Sequence, residues 1–252
     1  MDHFTSEGLE LAFIDEGERQ GRCVLLLHGF ASSMRVNWID TGWVKTLADA
    51  GFRVLAFDHR AHGGSAKPTD KEAYRPARMA GDAVALLDHL GIARSAVFGY
   101  SMGARVAAFA ALAAPARFSR IVFGGLGIGL VKGVGDWDTI ADALLAPSLD
   151  DVADERGRMF RAFADRTKSD RAALAACIST SREELTPADV ARIQQPTLIG
   201  VGTRDDIAGS AEELAALIPH ARSFEIAGRD HMLAVGDRSF KEEVVGFLRQ
   251  DD

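Results

Sequence analysis

Short apolar runs that alternate with amphipathic stretches restrict the fold of this chain more than any other feature. Each run ends at a glycine or a polar residue. The predicted strands are residues 9–15, 24–27, 52–57, 96–98, 121–123, 197–201 and 223–226. The predicted helices are residues 79–90, 102–114, 211–218 and 240–248. Continuous apolar strands separated by helices indicate a parallel sheet covered on both faces. We therefore predict an α/β fold with a mostly parallel central sheet flanked by helices.

One long segment, residues 130–195, departs from this alternation because it contains no clear strand pattern. It follows a glycine-dense stretch and contains helical patterns at residues 156–166 and 171–179. Thr186 is a suitable N-cap residue, with Pro187 in the first turn of a further helix. We predict that residues 130–195 form a small helical cap inserted into a core of residues 1–129 and 196–252.

Composition narrows the classes of partner and compartment. The chain has 252 residues and a formal net charge of −7, and this acidity disfavours nucleic acid and anionic membranes as partners. The first residues lack a basic flank and an apolar stretch, and no apolar run is long enough to span a bilayer, so we expect a cytoplasmic protein. With two cysteines, Cys23 and Cys177, neither a disulfide framework nor a metal site is indicated, and we expect no cofactor.

The segment Gly99-Tyr100-Ser101-Met102-Gly103 has the form Gly-x-Ser-x-Gly. It follows a predicted strand and precedes a predicted helix, the setting in which such a segment presents a serine nucleophile on a sharp turn. Glycines without a Cβ allow the strand and the helix to approach closely. The helix also directs the positive end of its dipole towards the turn. We predict that Ser101 is the nucleophile, the alternative being a glycine-rich turn without a catalytic role.

A serine hydroxyl is a weak nucleophile and requires a general base. His231 follows the last predicted strand and is the predicted base. An acidic residue must then orient the imidazole, and either Asp205 or Asp206, which follow the strand at residues 197–201, is suitable. Acyl transfer also requires amide donors for the developing oxyanion. We expect one from Met102 and one from the loop at residues 28–33, with His28 bracing that loop.

Four landmarks occur in a fixed order along the chain: His28-Gly29-Phe30, the segment at residues 58–65, Gly99 to Gly103, and Asp205 with His231. In this order they resemble the α/β-hydrolase superfamily, in particular its esterase-like members with a single helical cap. The resemblance implies that Phe30 and Met102 supply the oxyanion amides, and that Asp205 rather than Asp206 is the acid.

The resemblance also implies that Asp58 and Arg60 fix a structural loop. Two departures concern loop geometry: Ala61 stands where the family commonly has glycine, and Ala208-Gly209 replace a proline-containing turn. Relatives that cleave epoxides or carbon–halogen bonds have an aspartate at the position of Ser101, and the serine argues against both activities here.

These features predict a serine carboxylesterase that forms an acyl-enzyme on Ser101 and acts on a small-molecule ester. Thioester, lactone, carbon–carbon bond and perhydrolysis chemistry use the same residues and remain open. A receptor-like protein that binds a ligand with negligible turnover, or a structural member of the fold, is a further alternative. Four apolar residues are predicted to line a substrate pocket, with plain core packing as the alternative: Met34, Trp38, Trp137 and Phe160. The sequence does not indicate an oligomeric state.

Overall fold

A single sheet organises the protein, whose computed structural model describes residues 1–135 and 137–250. In the described residues its strands are β1 (Asp2–Ser6), β2 (Leu9–Gly17), β3 (Cys23–Leu27), β4 (Arg53–Phe57), β5 (Ser95–Tyr100), β6 (Phe118–Gly124), β7 (Thr197–Gly202) and β8 (Ala221–Ile226). Their order in space is β1-β2-β4-β3-β5-β6-β7-β8. The pairs β1–β2 and β2–β4 are antiparallel, and every other pair is parallel. The predicted mostly parallel sheet is therefore confirmed.

Ten α-helical segments occur in the described residues. They are α1 (Trp43–Asp49), α2 (Pro76–His89), α3 (Met102–Ala113), α4 (Gly129–Lys132), α5 (Asp138–Leu145), α6 (Glu155–Arg166), α7 (Arg171–Thr180), α8 (Pro187–Val190), α9 (Ala211–Ala215) and α10 (Arg238–Arg249). Thr186 caps α8 and Pro187 is its first residue, as predicted. None of the helices in the described ranges is both long enough and apolar enough to cross a membrane.

Alternate residues of the central strands belong to two separate apolar cores. Leu25 and Val97 belong to the core that includes α2 and α3. Val24 and Phe98, their neighbours in sequence, belong to the core that includes α1 and α10. Successive side chains of a strand point to opposite faces of a sheet. The helices therefore cover both faces, which leaves the loops at the strand ends as the accessible place for a site.

The described part of the segment between β6 and β7 contains α4 to α8 and no strand. Within it, α5 contacts both α6 and α7. The helical patterns at residues 156–166 and 171–179 correspond to α6 and α7. The division of the chain into a core and a cap at residues 130–195 stays a prediction.

Candidate active site

The turn between β5 and α3 holds Ser101 in a strained backbone conformation. Its φ of 54° and ψ of −113° lie where residues with a side chain are rare. A Cβ on Gly99 would lie 2.1 Å from the Gly103 carbonyl oxygen, and a Cβ on Gly103 would lie 2.0 Å from the Leu27 carbonyl oxygen. Both glycines are therefore required by the close approach of α3 to the sheet. The Ser101 amide donates to the Gly124 carbonyl at 2.8 Å, which fixes the turn against β6.

A chain of hydrogen bonds joins the three residues predicted to be catalytic. His231 Nε2 lies 3.0 Å from Ser101 Oγ, and His231 Nδ1 lies 2.8 Å from Asp205 Oδ2. The carboxylate can only accept, so the proton of the neutral imidazole belongs on Nδ1. Nε2 is then the acceptor that faces the serine hydroxyl. This arrangement suits removal of a proton from Ser101.

The structure distinguishes Asp205 from Asp206. The Asp205 side chain is fully buried, and its Oδ1 accepts hydrogen bonds from the amides of Ile207 and Ala208, both at 2.9 Å. Its second oxygen is thereby directed at His231, while Asp206 is exposed. The turn at Ala208-Gly209, where Gly209 has a φ of +72°, positions the acid without the proline that is usual in the family.

Tyr100 also contributes to this arrangement, a role that the sequence motif alone did not indicate. Its hydroxyl donates to the His231 carbonyl at 2.6 Å, and burial raises the pKa of the phenol, which therefore stays a donor. A Cβ on Gly124 or on Gly125 would lie 2.7 Å from a carbon of the Tyr100 ring. The two adjacent glycines at the end of β6 make room for this ring, and they were the signal available in the sequence.

The loop after β3 lies against the nucleophile. A Cβ on Gly29 would be 3.5 Å from the Cβ of Ser101. The Gly29 amide donates to Asn37 Oδ1 at 2.9 Å, and the Ala31 amide donates to His62 Nε2 at 3.0 Å. The amides on both sides of Phe30 are therefore held by side chains, which fixes the orientation of the loop.

The two predicted oxyanion donors are the backbone amides of Phe30, in the loop after β3, and Met102, at the start of α3. Within residues 1–135 and 137–250, no hydrogen bond of the protein engages the Phe30 amide. Met102 is the first residue of α3, and the first amides of a helix have no acceptor within it. Both amides are thus available for an oxyanion, and that role stays a prediction.

The rings of two buried histidines, His28 and His62, brace the same loop. His28 Nδ1 donates to the Gly29 carbonyl at 2.8 Å, and its Nε2 accepts from the His59 amide at 3.0 Å. Burial lowers the pKa of His28 to about 4 and that of His62 to about 3. Each ring therefore bonds as a neutral imidazole, with one nitrogen donating and the other accepting. The predicted bracing role of His28 is confirmed.

The loop at residues 58–65 is fixed by charged side chains, as the family resemblance implies. The Asp58 carboxylate accepts from the amides of Met34 and Gly64, both at 2.8 Å. Arg60 forms two hydrogen bonds of 2.7 Å with the buried carboxylate of Asp82. Ala61, which replaces the common glycine, has a φ of +71°. The left-handed conformation that explains the family's glycine is therefore kept here by an alanine.

A cavity of about 340 Å³ opens onto Ser101 and His231. Of the four predicted pocket residues, Phe160 lines it. The prediction is wrong for Met34 and Trp38, which are fully buried in the core that contains α1 and α10. Trp38 packs against Phe98 with ring centroids 4.8 Å apart, so its apolar character serves packing.

Trp137 lies behind the cavity lining rather than in it. Its ring packs against that of Phe160 with centroids 5.7 Å apart, and the guanidinium groups of Arg156 and Arg182 lie over it. The remaining apolar lining includes Phe30, Val36, Phe163, Met232, Leu233 and Val235. The described part of the chain contains no group of three His, Cys, Asp or Glu side chains arranged to hold a metal ion.

Comparison with known proteins places this geometry in a family. The family model described as "alpha/beta hydrolase fold" matches residues 22–155. "Epoxide hydrolase A" of Mycobacterium tuberculosis (strain ATCC 25618 / H37Rv) is 38% identical over 123 residues, which cover 44% of this chain and 37% of that protein. The chain thus spans less than half the length of this curated relative.

Solved structures match over almost the whole chain. A hydrolase from Pseudomonas aeruginosa PA01 superposes with a TM-score of 0.81 and 27% identity, covering 99% of this chain and 98% of that one. The enol-lactonase from Burkholderia xenovorans LB400 superposes with a TM-score of 0.76 and 24% identity, covering 99% and 100%. The family model, the sheet order and the serine turn agree, and the chain belongs to the alpha/beta hydrolase fold family.

Proposed function

We propose that this protein is a serine hydrolase that cleaves carboxylic esters through an acyl-enzyme on Ser101. The observation that carries the proposal is the hydrogen-bonded chain from Ser101 through His231 to Asp205, at the wall of a largely apolar cavity. The similarity to a Pseudomonas aeruginosa protein described as a hydrolase supports hydrolytic chemistry. Ester cleavage is the finer step that we infer from the residues.

In the first half of the reaction, Ser101 Oγ attacks the ester carbonyl while His231 Nε2 takes the hydroxyl proton. Negative charge develops on the carbonyl oxygen, and in this proposal the amides of Phe30 and Met102 donate to it. Asp205 stabilises the imidazolium that forms and keeps Nδ1 protonated. His231 then returns the proton to the leaving alcohol, and the acyl group remains on Ser101.

In the second half, a water molecule replaces the alcohol. His231 removes a proton from this water, which attacks the acyl carbonyl, and the same two amides hold the oxyanion again. Collapse of the intermediate releases the carboxylic acid and returns the proton to Ser101. The cycle balances without a metal or an oxidant.

Epoxide opening, the activity in the name of the Mycobacterium tuberculosis relative, fits the nucleophile poorly. A carboxylate that attacks an epoxide forms an ester, which water can hydrolyse at its carbonyl. A serine alkoxide that attacks an epoxide forms an ether, which has no carbonyl and would block the enzyme after one turnover. Ser101 therefore favours acyl chemistry.

The test is hydrolysis of 4-nitrophenyl esters of increasing acyl length by wild type and Ser101→Ala. We expect turnover that falls by on the order of 10⁴-fold or more in the variant, because the nucleophile and its base act as a unit. The preferred acyl length then measures the depth of the cavity. Ser95→Ala is the matched control, since Ser95 lies at the opposite end of β5 and its hydroxyl has no partner among the described residues.

Two results would count against the proposal. Equal turnover by wild type and Ser101→Ala would exclude Ser101 as the nucleophile. Tight, saturable binding of esters without any product would favour a receptor-like protein. Labelling of Ser101 by a phosphonate probe, combined with inactivity on every ester, would keep the nucleophile and move the search to thioesters, lactones and carbon–carbon bonds.

A further inference from the structure

Arg182 is a cationic residue in the wall of the candidate active-site cavity, just after α7. Its guanidinium carbon lies 3.1 Å from the centroid of the Trp137 ring and 6.0 Å from that of Phe30. Its Nε is buried without a hydrogen-bond partner. Within the described ranges, Arg182 forms neither an ion pair nor a hydrogen bond with the protein, so aromatic faces are its main contacts.

Two neighbouring arginines show what a partnered guanidinium looks like in this region. Arg105 donates to the carbonyls of Glu183 at 2.7 Å and Gly129 at 3.1 Å. Arg156 donates to the carbonyl of Val134 at 2.9 Å. Backbone oxygens thus satisfy Arg105, and they satisfy one nitrogen of Arg156, whose Nε and Nη2 are buried without a partner. Arg182 differs from both because it forms no hydrogen bond to any described residue.

The charged side chains that line the cavity are all cationic. Arg166 and Arg182 line it, and none of the described lining residues is Asp or Glu. Burial and the neighbouring Arg105 lower the pKa of Arg182, yet a guanidinium stays protonated in proteins. Arg182 is half-buried, and its Nε is shielded from solvent without an acceptor. Loss of hydration without a compensating partner is unfavourable, and an anion in the cavity would supply that partner.

We propose that Arg182 binds a carboxylate carried by the substrate, so that the preferred substrates are esters with a carboxylate group in addition to the reacting ester. This inference rests on the proposed ester hydrolysis and adds the substrate class. A guanidinium offers paired N–H donors that match the two oxygens of a carboxylate. Stacking on Trp137 fixes the plane of the Arg182 guanidinium. The apolar walls of the cavity would contact the carbon atoms of the substrate that join its carboxylate to its ester.

The first experiment needs no variant. Monomethyl esters of succinate, glutarate, adipate and pimelate are compared with neutral methyl alkanoates of matched length, by methanol release. Acetate esters of short hydroxy acids, paired with neutral alkyl acetates, place the carboxylate on the alcohol side instead. We expect kcat/KM to be about 10-fold or more higher for the carboxylate member in at least one series, as expected for a charge-assisted hydrogen bond. Equal or better turnover of the neutral member in every pair overturns the proposal.

Variants then assign the preference to Arg182. We take the kcat/KM of the carboxylate ester divided by that of the matched neutral ester. In Arg182→Gln this ratio should fall by about 10- to 100-fold, and in Arg182→Lys it should lie between the ratios of Arg182→Gln and wild type. Arg192→Gln removes an exposed charge on the surface, outside the cavity lining, and should keep the wild-type ratio. An unchanged ratio in a folded Arg182→Gln protein contradicts the assignment. If that variant does not fold, Arg182→Lys and the wild-type pairs still decide.

A binding measurement separates this inference from the proposed function. In the Ser101→Ala background, calorimetry should show monomethyl glutarate bound about 10-fold more tightly than methyl pentanoate, and Arg182→Gln should abolish the difference. Turnover of esters without any carboxylate preference leaves the hydrolase and removes the role of Arg182. Carboxylate-selective binding with no turnover of any ester would keep the role of Arg182 and contradict the proposed ester hydrolysis.

Discussion

At the scale of single residues, two adjacent aspartates differ only in where the following turn directs them. Asp205 is buried and receives two backbone amides on one oxygen, which leaves the other for His231. We expect Asp205→Asn to lower kcat on a 4-nitrophenyl ester by on the order of 10³- to 10⁴-fold, because an amide nitrogen at this position favours the wrong imidazole tautomer. Asp206→Asn changes an exposed neighbour and should keep activity within about twofold. Equal losses in the two variants would show that the acid is misassigned.

Tyr100 contacts the backbone of His231, the candidate catalytic base, so its effect on rate can be measured separately from its effect on stability. Its hydroxyl donates to the His231 carbonyl. Tyr100→Phe should lower kcat about 3- to 10-fold with little change in KM, and lower the free energy of unfolding by about 1–3 kcal/mol, because a buried carbonyl loses its donor.

Tyr74→Phe is the matched control for this prediction. Tyr74 is the other tyrosine of the chain, and its hydroxyl donates to the Pro68 carbonyl at 2.6 Å, outside the cavity lining. Steady-state kinetics and urea unfolding of both variants check the prediction. Tyr74→Phe should lose stability without losing kcat, and an equal fall of kcat in the two variants would contradict a positioning role for Tyr100.

At the scale of elements, the contact between α3 and the strand β3 depends on the absence of one side chain. A Cβ on Gly103 would meet the Leu27 carbonyl oxygen at 2.0 Å, and rigid backbone on both sides cannot yield. We expect Gly103→Ala to lower the free energy of unfolding by about 3 kcal/mol or more. Gly81→Ala is the control in α2, where nothing lies within 4 Å of the added Cβ. It should raise the free energy of unfolding by roughly 0.5–1 kcal/mol, since alanine favours a helix. Urea unfolding measures both, and a stable Gly103→Ala protein would show that α3 can move away from the sheet.

The elements that the sequence predicted well are those with buried, continuous apolar character. Every predicted strand is present. The central parallel strands β3 to β7 are almost entirely buried and carry little polar sequence. Strand β1 was missed, since only Phe4 and Ser6 of Asp2–Ser6 are buried at this edge of the sheet. A five-residue run with two inward positions cannot be told from a loop by periodicity.

The strand pattern also made the hydrogen-bonded residues of the candidate site predictable, but not the walls of its cavity. The residues that bond to one another lie just after strands, and the carboxyl ends of parallel strands meet at one edge of a sheet, so Ser101, Asp205 and His231 could be placed together. No comparable rule identifies from the sequence which residues line a pocket. Met34 and Trp38 are as apolar as Phe160, and only the packing of side chains decides which of them contacts a core and which a cavity.

At the scale of the whole molecule, three buried histidines link the loop that supplies a predicted oxyanion amide to global stability. His28, His59 and His62 have no exposed surface, and burial lowers the pKa of each below its ordinary value of 6.5. Above about pH 6.5 both the folded and the unfolded chain hold neutral imidazoles. Between pH 6.5 and about 4, the unfolded chain takes up protons that the folded chain cannot accept. Stability from these groups is therefore complete above pH 6.5 and falls as the pH falls towards 4.

The resulting slope is on the order of 1 kcal/mol per pH unit for each histidine, because one unit of pKa difference corresponds to 1.4 kcal/mol. His59 is the residue to replace, since neither ring nitrogen has a hydrogen-bond partner in the described structure. His59→Leu should lower the pH slope of the free energy of unfolding between pH 6.5 and 4.5 by about the contribution of one histidine. Urea unfolding at a series of pH values measures this slope. His3→Gln, at an exposed position, should keep the wild-type slope, and the same background of carboxylates titrates in all three proteins. If His59→Leu kept the full wild-type slope, protonation of His59 would be no barrier to the folded state. The acid sensitivity from buried histidines would then have to arise from His28 and His62, whose rings bond to backbone groups.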